Sequence, residues 1–208
     1  MDWDAWHDEY DTPGTRLARR LVVVREQLTI ALDSAPPGPI EILSMCAGQG
    51  RDVIGVLPEH PRRADVTALL VELDPRNVTK AKEAAADAGL DNVEIREGDA
   101  GSTDNYVDLA PAQIVLACGI FGNVLPETAD KAIGFFPGLC KPGADLIWTG
   151  GRVGLFELVR SSLAKNEFEQ QFVSDPRETQ FGVGRHTYRG EAQPLGRGTT
   201  MFTFDKPH

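Results

Sequence analysis

The sequence predicts an α/β fold built on a mainly parallel β-sheet. Between residues 40 and 165 five predicted strands alternate with four segments of helical periodicity, which is typical of parallel strands joined by helices. The run at 66–73 is apolar over most of its length, as in a strand covered on both faces. Ligands on such sheets bind beyond the carboxyl ends of the strands, so we expect the functional residues in the turns that follow them.

The 208 residues, of which 41% are hydrophobic, are enough for one domain with a full core. We predict a helical N-terminal lid at 1–35, a core at 36–150 and a C-terminal helix and strand pair at 151–208. The net charge of −10 disfavours a nucleic-acid partner, because phosphate binding needs a basic surface.

Three further expectations follow from composition. No apolar run has the length of about 20 residues that a membrane span needs, so no membrane partner is expected. The three cysteines lack metal-ligand spacing and indicate a reducing, cytoplasmic setting. The sequence leaves the oligomeric state open, with a homodimer as one option.

The N-terminal 35 residues contain two predicted helical segments. Four side chains share one helical face at the start of the chain: Trp3, Trp6, His7 and Tyr10. This face either packs on the domain or forms a lid over a ligand pocket, and both remain open. After a break at Pro13 and Gly14, leucines and valines at spacings of three and four predict a helix over 15–32.

The remaining elements alternate along the chain. The first core strand begins at Ile40, and the others are predicted at 66–73, 93–96, 112–117 and 144–149. Helices are predicted at 53–59, 75–88, 127–139 and 155–165. The chain ends in a predicted pair of strands at 168–173 and 199–204, joined by a long glycine-containing loop at 175–197.

A glycine turn, Gly48-Gln49-Gly50, lies between the first core strand and its helix. Glycine lets the backbone approach a ligand closely, and the helix N-terminus offers free N–H groups. Cys46, at the start of the turn, is expected to keep a negative φ, because a positive φ would strain it. A dinucleotide fingerprint would need a third glycine where Val53 stands, which disfavours a nicotinamide cofactor.

Two carboxylates end the next two strands. Glu72 lies 22 residues beyond Gly50, where a carboxylate can accept both hydroxyls of a ribose. Asp99 follows the third strand and could accept a hydrogen bond from an adenine amino group. The turn and the two carboxylates therefore predict a site of adenosine size at three successive strand ends.

These motifs resemble those of class I S-adenosylmethionine-dependent methyltransferases, over about residues 40–148. Ile-Leu-Ser-Met-Cys-Ala-Gly-Gln-Gly is similar to the family's first motif, and Leu-Val-Glu-Leu-Asp-Pro to the second. Val-Glu-Ile-Arg-Glu-Gly-Asp-Ala is similar to the third, and Gln-Ile-Val-Leu-Ala-Cys-Gly-Ile-Phe-Gly-Asn-Val to the fourth. The resemblance implies a Rossmann-like three-layer sandwich whose seven-stranded sheet is mostly parallel with its last strand antiparallel. It also implies S-adenosylmethionine as cofactor, converted to S-adenosylhomocysteine.

The resemblance also assigns roles to the matching residues. Gly48 and Gly50 would lie beside the methionine part of the cofactor. Glu72 would hold the ribose, and Leu73 would pack on the adenine. Asp99 would hold the adenine amino group, and the stretch 118–121 would flank the sulfonium and the acceptor. The expected cofactor-binding residues are Ser44, Cys46, Ala47, Gly48, Gly50, Glu72, Leu73, Asp99, Ala100, Cys118 and Phe121.

Two of these residues depart from the family pattern. Ser44 stands where an acid is usual, and Cys46 stands where the first glycine is usual. A serine hydroxyl accepts a hydrogen bond from the cofactor's ammonium group more weakly than a carboxylate does.

The fourth motif bears on the methyl acceptor. It lacks the Asn-Pro-Pro-aromatic signature of family members that methylate amide or base nitrogens, and no acidic cluster has magnesium-ligand spacing. We therefore predict an enzyme that transfers a methyl group to a small molecule, O-directed, by direct in-line displacement and without a metal. Two alternatives stay open: a different transfer or rearrangement that uses the same cofactor, and a non-catalytic binding module.

Two polar residues are the candidates for catalysis. Asn123, just after the fourth strand, either orients the substrate or simply forms a turn beside glycine. His186, in the predicted late loop, either acts as a general base or is only solvated.

Overall fold

The computed structural model describes residues 8–151 and 153–204; the expectations for Trp3, Trp6 and His7 lie outside them. The strands are β1 (Ile40–Met45), β2 (Val66–Glu72), β3 (Val93–Glu97), β4 (Ala112–Ala117), β5 (Cys140–Gly150), β6 (Phe168–Ser174) and β7 (Gly182–Tyr188). The helices are α1 (Arg16–Ser34), α2 (Val53–Val56), α3 (Pro75–Asp87), α4 (Pro126–Ile133), α5 (Phe136–Leu139), α6 (Val153–Lys165) and α7 (Pro176–Thr179). Short 3-10 turns lie at Asp8–Asp11, Leu57–Glu59, Arg63–Asp65 and Thr103–Asn105.

The strands form one sheet in the order β3-β2-β1-β4-β5-β7-β6. Strands β1 to β5 pair in parallel, whereas β7 runs antiparallel to both of its neighbours. The predicted seven-stranded Rossmann-like fold with its last strand antiparallel is thereby confirmed. The strand order reverses between β1 and β4, and ligands of open α/β sheets bind at such a point.

Helices cover both faces of the sheet. Apolar side chains of α1, α2 and α3 pack against one face, where Ile42 points, and those of α4, α5 and α6 pack against the other, where Leu43 points. The alternation of neighbouring strand residues between two cores explains why β1, β2 and β4 are mostly apolar. None of the helices in the described part of the chain combines the length and hydropathy that a bilayer crossing requires.

The helix starts follow local capping chemistry. Thr15 caps α1, its Oγ1 accepting a hydrogen bond from the Ala18 N–H at 3.2 Å. Asp74 caps α3 and is followed by a proline at the first helical position. The helix predicted at 127–139 is instead two helices, because Gly134 ends α4 and a proline follows the first residue of α5.

The end of the chain differs from the prediction. Strand β7 lies inside the segment predicted as a loop at 175–197, whereas 199–204 forms no strand of the sheet and makes one isolated bridge, between Ser102 and Thr200. Strand β7 was not predicted because it contains two glycines, and glycine has a low strand propensity. The packing accounts for Gly184: a Cβ there would lie 2.4 Å from the indole nitrogen of Trp148.

Candidate active site

A cavity of about 1050 Å³ opens at the carboxyl ends of the parallel strands. It is as large as the biggest small-molecule sites, which span roughly 300–1,000 Å³. A residue near the end of each of the first five strands lines it: Cys46, Leu73, Asp99, Cys118 and Gly150. The cavity therefore lies where the sheet topology predicts a ligand.

The glycine turn begins in an unusual backbone conformation. Cys46 has φ +52°, so the expectation of a negative φ is wrong. A left-handed conformation costs a side-chain-bearing residue about 1–2 kcal/mol. The turn is held in this shape because the Ala47 N–H donates to the Val71 carbonyl at 3.0 Å and the Gly50 N–H donates to the Ala47 carbonyl at 2.9 Å.

Glu72 is anchored at both carboxylate oxygens. Its Oε2 accepts a hydrogen bond from the Gly48 N–H at 2.7 Å, and its Oε1 accepts one from the Asp74 N–H at 2.9 Å. The side chain therefore joins the glycine turn to the start of α3. This fixes the carboxylate at the edge of the cavity, which it also lines.

Asp99 lies at the neighbouring strand end. Its Oδ1 accepts a hydrogen bond from the Gly101 N–H at 2.8 Å, and its carbonyl accepts one from the Asn105 side chain at 2.8 Å. Leu73, which is 56% exposed, and Ala100 line the same end of the cavity. This end thus offers a carboxylate beside apolar surface.

The turn Asp8–Asp11 is tied to the glycine turn by Arg51 and to α1 by Arg20. Arg51 forms a bidentate ion pair with Asp11, with N–O distances of 2.5 and 2.9 Å. Arg20 donates a hydrogen bond to the hydroxyl of Tyr10 at 2.6 Å. Tyr10, one of the predicted lid residues, lines the cavity as a result.

Asp52 is a buried carboxylate in the cavity. It is 8% exposed, and its Oδ1 accepts a hydrogen bond from the Val53 N–H at 2.8 Å, which caps α2. Burial raises the pKa of this carboxyl, although Arg25 and Arg20 act in the opposite direction. Asp52 does not stand out in the sequence, because an aspartate before a helix is commonly only a cap. Its place two residues after Gly50 is the signal that could have found it.

The loop after β4 is braced by two hydrogen bonds. The Gly119 N–H donates to the Thr149 hydroxyl at 2.9 Å, and the Asn123 side-chain amide donates to the Gly119 carbonyl at 2.8 Å. Gly119 and Gly122 line the cavity, and a Cβ built at either meets no atom within 4 Å, so there is room beside them. Burial raises the pKa of the Cys118 thiol, which makes it unsuited to act as a nucleophile.

Most of the predicted cofactor residues line this cavity, as does Asn123: Cys46, Ala47, Gly48, Glu72, Leu73, Asp99, Ala100 and Cys118. Three others do not. Ser44 is fully buried, and within the described residues its Oγ has no hydrogen-bond partner. Gly50 lies under the turn against Ile54, and the ring of Phe121 packs edge-on against that of Trp148. These three residues contribute to the packing under the cavity rather than to its wall.

His186 lies away from the cavity. It is in β7 rather than in a loop, is 1% exposed, and its Nδ1 accepts a hydrogen bond from the Trp148 indole N–H at 3.2 Å. It lines a separate small pocket together with Arg160. Burial, assisted by the charge of Arg160, lowers the pKa of His186 to about 4. His186 is therefore not placed to act as a general base in the main cavity.

The lowered pKa of His186 makes stability depend on pH. Between pH 6.5 and 4 the unfolded chain protonates this histidine and the folded chain does not, so stability falls as the pH drops through this window. At pH 5.5 the loss reaches about 1.4 kcal/mol relative to pH 7.5. Urea unfolding of the wild type and of His186→Asn at both pH values isolates this contribution as the difference between them. Equal pH dependence of the two proteins would contradict it.

Comparison with known proteins identifies a matching family. The model of a family described as "Putative methyltransferase" matches residues 11–159. No curated protein matches the chain in the sequence comparison. Within the described residues, no group of three histidine, cysteine, aspartate or glutamate side chains could hold a metal ion.

Three solved structures are similar to this one. The CurJ carbon methyltransferase has a TM-score of 0.69 at 14% identity, with 91% of this chain and 59% of that chain covered. An O-methyltransferase family protein from Burkholderia thailandensis has a TM-score of 0.66 at 16% identity, with 92% of this chain and 60% of that chain covered. An RNA methyltransferase from Salinibacter ruber, in complex with S-adenosyl-L-homocysteine, has a TM-score of 0.55 at 21% identity. The match covers 89% of this chain and 99% of that chain. The chain thus spans about three fifths of the first two, and at these identities the likeness is one of fold.

Proposed function

The chain belongs to this putative methyltransferase family, and from that premise we propose that it transfers the methyl group of S-adenosylmethionine directly to an oxygen of a small-molecule acceptor. The observation that supports this best is the placement of Glu72, Asp99 and the glycine turn around one cavity. Along the strand ends, the glycine turn, Glu72 and Asp99 follow the same order as the parts of the cofactor that they would hold: the methionine tail, the ribose hydroxyls and the adenine amino group. When bound, the cofactor supplies an electrophilic methyl group on its sulfonium.

The residues present fit the cofactor on structural grounds. Glu72 is oriented by two backbone N–H groups, and Asp99 by one. Leu73 and Ala100 supply apolar surface between them, as a base needs on its faces. The empty space beside Gly119 and Gly122 leaves room for the reacting groups at the end of β4.

The acceptor end is a recess with a few polar groups. Tyr10, Asp52, Asn123 and Thr149 line it, and the first of these is held in place by Arg20. Such enclosure, with few polar groups aimed inward, suits a small molecule better than a polymer. The net charge of −10 favours the same choice, since a nucleic acid would be repelled at most of the surface.

Asp52 supports transfer to oxygen. A hydroxyl acceptor must lose its proton on methylation, and a carboxylate whose pKa is raised accepts a proton more readily than an ordinary one. We propose that Asp52 takes this proton, that Asn123 fixes the loop beside the acceptor, and that the enclosed site excludes water.

The assay for this function uses the purified full chain with S-adenosylmethionine. Phenols, alcohols and carboxylic acids form one panel, amines a second and RNA a third, and mass spectrometry follows both S-adenosylhomocysteine and the gain of one methyl group. We expect turnover in the first panel. Methylation confined to amines or to RNA would contradict the proposal, and an acceptor converted without gaining a methyl group would favour a rearrangement instead.

A further inference from the structure

We propose that the segment 199–204 forms the adenine-side wall of the cofactor cavity and that Phe204 is its contact with the base. This inference rests on the proposed function, because it concerns the same cavity. The sequence placed this segment in a strand pair with 168–173. Its actual position, beside the loop after β3, gives it a different role.

Backbone hydrogen bonds hold the segment in register with that loop. The Met201 N–H donates to the Gly101 carbonyl at 2.8 Å, and the Thr103 N–H donates to the Thr199 carbonyl at 3.0 Å. The pairing is antiparallel. Continuing this register brings the end of the segment beside Asp99, the residue expected to hold the adenine amino group.

The close approach depends on a glycine. A Cβ at Gly101 would lie 2.1 Å from the carbonyl oxygen of Phe202, which no side chain tolerates without displacing the backbone. The same Gly101 donates its N–H to the Asp99 carboxylate. The carboxylate, the glycine and the segment are therefore one connected unit.

The segment presents aromatic surface to the cavity. Phe202, Thr203 and Phe204 all line it, together with Leu73 and Ala100. Phe202 is 4% exposed and fixed in the core, and its ring stacks on that of the partly buried Phe204 at 5.8 Å between centroids. A planar base gains about 1–3 kcal/mol from stacking on an aromatic ring.

The position of the segment relative to the sheet indicates that it contacts the adenine base rather than the methyl acceptor. The segment lies against the loop that follows β3, at one edge of the sheet, whereas the recess around Asn123 lies beyond β4 and β5 near its centre. The strand ends nearer the segment are those with Glu72 and Asp99. Hence the segment belongs to the adenosine half.

Calorimetric titration with S-adenosylhomocysteine tests this contact. Phe204→Ala is expected to weaken binding about tenfold, and Phe204→Trp to keep wild-type affinity, because a larger ring still stacks. Phe172→Ala is the matched control: Phe172 is also partly buried but lies in β6, outside the cavity, and its loss should leave affinity unchanged. Equal affinity of Phe204→Ala and the wild type would overturn the inference.

A second ligand locates the contact on the base. 5′-Methylthioadenosine has the adenosine but lacks the amino acid, so Phe204→Ala should weaken its binding by the same factor. If the variant loses affinity for S-adenosylhomocysteine but keeps it for methylthioadenosine, Phe204 contacts the amino-acid end and the inference is wrong.

Hydrogen exchange on the wild type keeps the test independent of folding of the variants. Binding of S-adenosylhomocysteine should slow exchange at the Met201 amide, and unchanged exchange with bound ligand would overturn the inference. A folded wild type that binds neither adenosine ligand would instead overturn the proposed function. The two failures are therefore distinguishable.

Discussion

Replacement of Glu72 by alanine is expected to weaken binding of S-adenosylmethionine roughly 100-fold. The carboxylate would hold the ribose hydroxyls by two charge-assisted hydrogen bonds, each worth about 1.5 kcal/mol at the low end of the usual range, and about 3 kcal/mol corresponds to that factor. Its present partners, the Gly48 and Asp74 N–H groups, lie at the cavity edge, so the fold should suffer less than the site. Calorimetric titration gives the affinity, and urea unfolding gives the stability.

Glu94 offers the matched control for Glu72. It is a glutamate of the neighbouring strand β3, is exposed, and pairs with Arg96 away from the cavity. Glu94→Ala should leave cofactor affinity unchanged, since an exposed pair of this kind contributes about 0–1 kcal/mol and only to stability. Wild-type affinity in Glu72→Ala would refute the cofactor assignment at β2.

Replacement of Asp52 by asparagine is expected to lower kcat on the order of 100-fold, the usual contribution of a positioned general base. Asparagine caps a helix as well as aspartate does, so α2 should persist. Cofactor affinity should stay close to that of the wild type. Wild-type turnover should also fall as the pH drops, because protonation removes the base, and this acid limb should be absent from the residual activity of Asp52→Asn.

Asp175→Asn controls for the cap itself. Asp175 caps α7 by accepting a hydrogen bond from the Arg177 N–H at 2.8 Å, and it lies outside the cavity. This variant should turn over like the wild type. If Asp52→Asn is equally active and keeps the acid limb, Asp52 is only a helix cap.

The sequence predicted the fold because its signals are local. Strands β1, β2 and β4 are mostly apolar runs bounded by turns, and Asp74 with the proline after it marks the start of α3. The carboxylates Glu72 and Asp99 were found for the same reason. Parallel strands bring their carboxyl ends to one edge, so residues far apart in sequence meet there.

What the sequence did not predict depends on contacts distant along the chain. Strand β7 contains glycines because the Trp148 indole occupies the space beside Gly184, which no local pattern reveals. His186 was expected in a loop because these glycines obscure the strand that contains it. Cys46 adopts a positive φ because hydrogen bonds across the turn, including one to the Val71 carbonyl on β2, hold it there.

The position of the segment 199–204 also differs from the strand predicted there. Its alternation of apolar and polar residues is that of a strand, but it pairs only with the loop after β3. Gly101 is the residue that could have indicated this position. A glycine there is easily taken for a flexible position, but it allows the close approach of the two backbones.

Isothermal titration of the folded chain with S-adenosylmethionine and S-adenosylhomocysteine tests the central claim most directly. The arrangement of Glu72, Asp99 and the glycine turn predicts one site that binds both in the micromolar range. No heat of binding from either ligand, with protein that is folded by circular dichroism, would contradict the assignment of this cavity to the cofactor.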